Sequence, residues 1–388
     1  MHIKYGLISC DSHGQLDKDA FTSRMSSTKW GDAIPRLIET TDRAHMVYDH
    51  DFPVQRWAVN GQISTPRGVI NAPIVMEDPT HKTFPQRWED IPSCVYDPLQ
   101  RLAALDRDGV DAEVLFPNDP VQGATFFQLD AEFELECVRA YNDALAEWSQ
   151  TSDRYIPLAL MPYLSGVEAA VLEVTRAVKL GHKGIVMVGE PSQSHKDLKH
   201  LNDPYWDPLW ACCQDLDIPI HWHAGAGLSK MRWPTWEGFS RNVVQGASTA
   251  GSFAVQAQII MNLIFSGILE RYPRSKWVCA ETGLGWVNQV LEGCDHEWER
   301  RHLWTEGVTS RPSELFHRHV YVDFWYEAVG LRLRHQVGLQ NIMWESDFPH
   351  STSTYPDSWQ YVNRAMAGIP EDERSTLLYG NAMRLYKL

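Results

Sequence analysis

Short apolar segments alternate with amphipathic helical segments eight times along this chain of 388 residues. Each apolar run is typical of a buried strand, and each following segment has the three-to-four-residue spacing of a helix. Parallel strands need crossover helices, and eight such units close into a barrel. We therefore predict an α/β fold, a (β/α)8 TIM barrel, in one domain spanning residues 1–388. The predicted strands are Ile3–Cys10, Ala112–Phe116, Ile156–Pro162, Gly184–Val188, the segment from Ile218, Trp277–Ala280, Val320–Phe324 and Ile342–Trp344.

An open, doubly wound sheet is the alternative for such an alternation. That fold has a glycine-rich phosphate-binding turn after its first strand. Here the first strand is followed by Asp11-Ser12-His13-Gly14-Gln15, which is not that turn. The barrel is favoured.

Residues 14–95 interrupt the alternation with many proline, threonine, aspartate and aromatic residues. A segment of this length without regular elements is usually functional or covers a site. We expect a long irregular insertion after the first strand that acts as a lid or as a subunit-contact arm. It carries Arg24, a candidate substrate contact, and the polar residues His45, Asp49 and His50; a solvated surface position also explains each of them.

Carboxylates and imidazoles recur where the predicted strands end. Barrel enzymes draw their catalytic residues from the carboxyl ends of several strands. Residues two apart in a strand face the same side, so each of the pairs Asp11/His13 and His221/His223 shares a direction. The polar side chains at these ends include Asp11, His13, His221, His223, Glu281, Asp347 and His350.

Four of these side chains form a ligand set for one divalent metal ion, zinc or manganese. Asp11, His13, His223 and Asp347 supply the nitrogen and oxygen ligands that such ions accept. A metal held this way keeps an open position and needs a nearby acid or base to move protons. Glu281 is placed for that role, although a structural ion pair explains it equally. His221 competes with His223, and a core histidine bonded to backbone carbonyls is the plain alternative.

Composition limits the partners. A net charge of −15 argues against nucleic acid and anionic membranes, which both attract basic patches. The first ten residues hold too short an apolar run for a signal peptide, and seven cysteines without a C-x-x-C pair suggest reduced thiols. We expect a cytoplasmic protein without a membrane span. Sixteen tryptophans and a long insertion favour a homo-oligomer, either a dimer or a tetramer.

Four motifs together resemble the amidohydrolase superfamily, in the branch of aminocarboxymuconate-semialdehyde decarboxylase and γ-resorcylate decarboxylase. The resemblance covers nearly the whole chain, and its eighth-strand and C-terminal motifs are the specific ones. The motifs are Asp11-Ser12-His13, Ile218-Pro219-Ile220-His221-Trp222-His223, Ser346-Asp347-Phe348-Pro349-His350 and Gly380-Asn381-Ala382-Met383-Arg384-Leu385-Tyr386.

The resemblance implies one metal ion held by Asp11, His13, His223 and Asp347, with Asp347 also able to help in proton transfer. It favours His223 over His221 as the ligand. His221 and His350, like Arg24, are candidate substrate contacts. The implied activity is non-oxidative decarboxylation of a small aromatic or unsaturated acid, with Asp347, Glu281 and His223 as catalytic residues.

Two other functions remain open from the sequence. Where the decarboxylases usually carry a histidine after the sixth strand, this chain has Glu281. A carboxylate there suits hydrolysis of an amide, ester or lactone by a metal-activated water. The third possibility is a non-catalytic barrel stabilised by its metal, whose ligands would then be saturated by protein.

Overall fold

The computed structural model describes residues 1–41, 53–63, 68–70, 84–121, 130–224, 246–247, 250–251, 253–350 and 352–388. Within them, eight parallel strands follow one another in chain order around one sheet. We number them barrel strands 1 to 8. Their bounds are Ile8–Gly14, Ala112–Pro117, Tyr155–Leu160, Gly184–Val186, Ile220–Trp222, Trp277–Cys279, Val320–Phe324 and Ile342–Trp344.

The sheet closes where barrel strand 1 meets the residues after barrel strand 8. Ser12 and Phe348 form a parallel bridge. The His13 amide donates to the Phe348 carbonyl at 2.7 Å, and the Asp347 amide donates to the Asp11 carbonyl at 2.8 Å. The predicted TIM barrel is confirmed, and its seam lies at residues that carry predicted metal ligands.

Helices connect the strands, as the alternation predicts. The helix Pro98–Asp108 shows how the sequence sets the bounds: the Asp97 side chain accepts the amides of Leu99 and Gln100, and Gly109 ends the helix with φ 72°. None of the described helices is both long and apolar enough to cross a membrane. The longer helices are Pro98–Asp108, Ala131–Ser149, Val167–Leu180, Asp207–Leu216, Phe253–Phe265, Val287–Arg301, Pro312–His319 and Ser358–Ala365. The shorter ones are Ser27–Trp30, Ser93–Tyr96, Pro191–Ser194, Ile268–Arg271, Val329–Arg332, Arg334–Val337, Glu371–Ser375 and Asn381–Tyr386.

The apolar core has an inner and an outer part. Side chains of the barrel strands form the inner cluster, which is joined by Leu385 and Tyr386 of the C-terminal helix. The outer cluster lies between the strands and the surrounding helices. Much of the tryptophan belongs to the core, since six indoles are almost fully buried: Trp57, Trp206, Trp210, Trp222, Trp277 and Trp344.

The first strand begins later than the predicted Ile3–Cys10. The amides of Lys4, Tyr5 and Gly6 donate to the Asp111 carboxylate at 2.6–3.0 Å, so this side chain replaces a neighbouring strand as their partner. The strand runs over Ile8–Gly14, and the motif Asp11-Ser12-His13 therefore lies within it.

The insertion is more regular than the prediction of an irregular segment. It contains a three-stranded antiparallel sheet formed by Arg36–Thr41, Pro53–Val59 and Gln62–Ile63. Asn60 and Gly61 connect the last two strands with φ of 51° and 70°. Asn-Gly is the strongest short hairpin signal, and the prediction overlooked it. His45, Asp49 and His50 lie outside the described residues, and the lid or subunit-contact role stays a prediction.

Candidate metal centre

An irregularity in barrel strand 1 accounts for the direction of its two predicted ligands. Its register against barrel strand 2 shifts between Ser9 and Ser12. Cys10 belongs to the inner apolar cluster, so strict alternation would turn Asp11 outward. Such a shift re-aims side chains and is common beside active sites. The Ser9 hydroxyl donates to the Asp11 carbonyl at 2.7 Å and accepts the Ser346 amide at 2.8 Å, which ties this irregularity to the end of barrel strand 8.

All four predicted ligands meet at the carboxyl ends of the strands. The Nε2 atoms of His13 and His223 lie 3.0 Å apart. His223 Nε2 lies 3.3 Å from Asp11 Oδ2, and His13 Nε2 lies 3.4 Å from Asp347 Oδ1. One ligand atom from each of the four buried residues lies within 4.8 Å of the others. The first and last of them, Asp11 and Asp347, are 336 positions apart in the sequence, and the closure of the barrel brings them together.

The hydrogen bonds around the cluster fit a metal ion. His13 Nδ1 lies 3.0 Å from the Pro117 carbonyl, and His223 Nδ1 lies 2.8 Å from the Ala224 carbonyl. A carbonyl accepts only from a protonated Nδ1, which leaves each Nε2 able to bind an ion, as is usual for metal-bound histidines. Both carboxylate oxygens of Asp11 are buried without a hydrogen-bond partner in the described structure. Buried charges of this kind are stable when they coordinate a metal.

Burial and neighbouring charges shift the pKa values of the clustered side chains. Burial lowers the pKa of His223, but the carboxylates of Asp11 and Glu281 outweigh burial and raise this pKa to about 10. Burial lowers the pKa of His13 to about 4 and raises that of Asp347 to about 6. In the metal-free cluster these shifts favour a proton on His223, next to Asp11. Metal uptake must displace this proton, so we expect the affinity for a metal to fall as the pH falls.

Glu281 and His350 lie at the edge of the four ligands. Glu281 Oε2 is 3.6 Å from His223 Nε2, and burial raises the pKa of Glu281 well above its ordinary value. The His350 ring stacks on His13 with 3.7 Å between centroids, and its Nδ1 is 3.0 Å from Asp347 Oδ1. Glu281, Asp347 and His350 form a second group whose ligand atoms lie close together.

The structure places two predicted substrate contacts away from this group. His221 lies deeper in the barrel, where Nδ1 is 3.0 Å from the Ile185 carbonyl and Nε2 is 2.9 Å from the Tyr386 hydroxyl. This matches the plain alternative of a core histidine. Its ring occupies space left by Gly184, where an added Cβ would come within 2.5 Å of His221 Cε1. Arg24 pairs with Glu147 on helix Ala131–Ser149, and its guanidinium also donates to the Ala20 carbonyl at 3.1 Å.

Arg101 is a residue of this site that the sequence interpretation missed. It is fully buried, and its Nε and Nη2 atoms each donate to the Glu113 carboxylate at 2.8 Å. Nη2 also donates to the carbonyls of His13 at 3.3 Å and Phe348 at 3.2 Å, so it bridges both sides of the barrel seam. The sequence contains a sign of this burial, because Arg101 has the helical spacing of Ala104, Leu105 and Asp108, which lie on the buried face of the same helix.

Thr352 was also missed. Its hydroxyl donates to Asp347 Oδ2 and lies 3.5 Å from Glu281 Oε1, so it contacts both carboxyl groups. Trp325 holds this segment, because its indole nitrogen donates to the Thr352 carbonyl at 3.3 Å. A lone threonine after the eighth strand has no pattern that identifies it.

The chain is similar to proteins of known function and of known structure. The chain is 24% identical to γ-resorcylate decarboxylase of Rhodococcus jostii RHA1 over 345 residues, which cover 79% of this chain and 97% of the relative. The fold resembles an amidohydrolase of Mycobacterium avium subsp. paratuberculosis K-10 with a TM-score of 0.74 and 18% identity, covering 99% of this chain and all of that one.

A second solved structure is dihydroxybenzoic acid decarboxylase of Polaromonas sp. JS666 with bound manganese and the inhibitor 2-nitroresorcinol. Its TM-score is 0.59 at 21% identity, with 78% of this chain and 89% of that chain covered. The family model described as Amidohydrolase matches residues 65–388. Because that match spans most of the chain, the predicted resemblance is confirmed, and this protein belongs to the amidohydrolase family.

Proposed function

We propose that this protein is a metal-dependent, non-oxidative decarboxylase of a small aromatic or unsaturated carboxylic acid. The observation that carries the proposal is the convergence of Asp11, His13, His223 and Asp347 beside a further carboxyl group, Glu281. Relatives named as decarboxylases of aromatic acids support it. Membership of an enzyme family disfavours the non-catalytic barrel.

The four ligands would hold one divalent ion, zinc or manganese, which supplies the charge that binds and orients the substrate carboxylate. In the reaction the bond between the carboxyl carbon and the ring carbon breaks, and its electron pair stays on the ring carbon. That carbon must receive a proton as carbon dioxide leaves. Asp347 and Glu281 are the carboxyl groups placed to deliver it, and the Thr352 hydroxyl between them fixes their orientation.

Hydrolysis is the second candidate, and the position of Glu281 favours it, since a carboxylate beside a metal ion can activate water. Release of carbon dioxide separates the two functions. We expect release from one or more members of a panel of hydroxybenzoic and unsaturated acids incubated with the metal-loaded protein. A panel without release, together with cleavage of esters, amides or lactones, would refute decarboxylation. A cytoplasmic location and a dimeric or tetrameric state stay predictions.

Replacing Glu281 with glutamine is expected to lower the turnover number at least 100-fold, because general acid–base groups typically contribute 10²–10⁴. The amide keeps the shape of the side chain but cannot exchange a proton. Metal content should stay at one ion per chain, because Glu281 is not among the four ligands. Turnover and elemental analysis check this, with Glu292→Gln on the exposed face of the next helix as the matched control. Full activity of Glu281→Gln would remove this residue from the mechanism.

A further inference from the structure

A cavity of about 500 Å³ opens beside the metal centre. It lies between the helices Phe253–Phe265 and Val287–Arg301 and the segment that follows barrel strand 7. Its volume falls in the range of small-molecule sites and exceeds what a carboxylate alone needs. Most of the side chains around it are apolar or aromatic: Phe253, Leu284, Trp286, Val290, Trp325, Tyr326 and Val329.

This cavity reaches the reacting groups through Glu281. The Glu281 side chain lines the cavity, and its Oε2 lies 3.6 Å from Nε2 of the ligand His223. Thr352, which contacts both Glu281 and Asp347, is held by Trp325 of the cavity wall. One side chain, that of Glu281, therefore both lines the cavity and lies next to a metal ligand.

The polar groups that line the cavity indicate which part of a substrate it can bind. The other acid that lines it is Glu327, whose carboxylate accepts the amides of Leu284 at 3.0 Å and of Trp325 and Tyr326 at 3.2 Å. Glu327 thus holds the two walls together. Among the described residues that line the cavity, none carries a cationic side chain. Two acids without a cation disfavour an anionic group, so the cavity suits a neutral, apolar one.

We propose that the cavity binds an apolar substituent of the substrate while the carboxylate lies at the metal ligands. The substrate class is then an aromatic acid that carries an alkyl or aryl group, and not an unsubstituted ring acid. This inference rests on the proposed function for the position of the carboxylate. A substituent bound there would bury its apolar area against Trp286 and Trp325. The contribution of the cavity can therefore be measured as a gain in binding affinity.

Equilibrium binding of matched acids to the metal-loaded protein tests the proposal. The probes are hydroxybenzoic acids with hydrogen, methyl or propyl at the 3- or 4-position. Each buried methylene is expected to improve affinity about fourfold, so a propyl group at the better position should improve it at least tenfold. Equal affinities of the parent and propyl acids at both positions would overturn the proposal.

Filling the cavity should remove this gain. Gly285 lines the cavity, and an added Cβ there meets no atom within 4 Å, so Gly285→Leu can project into it without a backbone clash. We expect the propyl preference to fall to within about threefold of unity while the parent acid binds as before. Gly293→Leu is the matched control, because Gly293 also has open space at Cβ and does not line the cavity. Val290→Trp is a second filling variant on a regular helix.

The outcomes separate this proposal from the proposed function. A propyl preference that the filling variants abolish supports the cavity whether or not carbon dioxide is released, and the release assay then decides the reaction. Carbon dioxide release without any propyl preference would overturn the cavity assignment and leave decarboxylation standing. A preference that survives in both Gly285→Leu and Val290→Trp would also overturn it.

Discussion

Replacing His223 with alanine is expected to strip the protein of its metal and of its activity. Mutation of residues that merely support a ligand typically lowers metal affinity 10–100-fold, so loss of a ligand should lower it more than about 100-fold. The vacated position lies between His13, 3.0 Å away, and Asp11, 3.3 Å away, and His13 is then the remaining histidine of the four described ligands. Asp11 would also lose its cationic neighbour.

Metal content after dialysis and the affinity for zinc or manganese measure this effect. The matched control is His221→Ala, two residues earlier in the same strand. His221 bonds to Ile185 and Tyr386, so its loss should cost about 1–3 kcal/mol of folding free energy for the unpaired polar groups while one metal per chain is kept. Metal retained by His223→Ala and lost by His221→Ala would reverse the assignment of the two histidines.

Replacing Arg101 with methionine is expected to destabilise the fold by about 3–5 kcal/mol, since it leaves the carboxylate of Glu113 buried without its partner. Both side chains are fully buried, so solvent does not screen their interaction. The variant also removes the donor shared by the carbonyls of His13 and Phe348 across the barrel seam. We therefore expect metal affinity to fall as well, by about 10–100-fold.

Denaturant unfolding and metal titration separate these two effects. In the double variant Arg101→Met with Glu113→Met, the buried pair becomes apolar, a change that is often neutral or stabilising. We expect stability to recover and metal affinity to stay low, because the seam still lacks its donor. Recovery of both would show that Arg101 does not position the ligands. Arg300→Met, at an exposed pair with Glu297, should leave both quantities unchanged.

The parts of the fold that follow from local pattern could be predicted. Val320–Phe324 and Ile342–Trp344 match their predicted bounds, because short, largely apolar runs between helices identify buried strands. The start of the first strand could not be predicted, because it depends on hydrogen bonds to the carboxylate of Asp111, more than 100 residues away in the sequence. The hairpin at Asn60-Gly61 was available from sequence and was overlooked.

The candidate site could also be predicted only in part. Alternation along a strand placed His221 and His223 on one side, but it could not tell that His221 lies a layer deeper against Tyr386. That distinction depends on the C-terminal helix, whose Tyr386 packs with the inner apolar cluster. Likewise, the charged residues Arg101 and Glu113 stand among apolar neighbours in the sequence, a sign of a buried pair that was overlooked. The contact of Arg101 with the seam could not be predicted, because it requires the closed barrel.

A crystal structure of the protein loaded with zinc would show whether these four residues share one metal ion. We expect one ion bonded at about 2.0–2.2 Å to side-chain atoms of Asp11, His13, His223 and Asp347. The nearby group of Glu281, Asp347 and His350 is the competing position. An ion held there, with Asp11 and His13 out of bonding distance, would rule out the assigned ligand set.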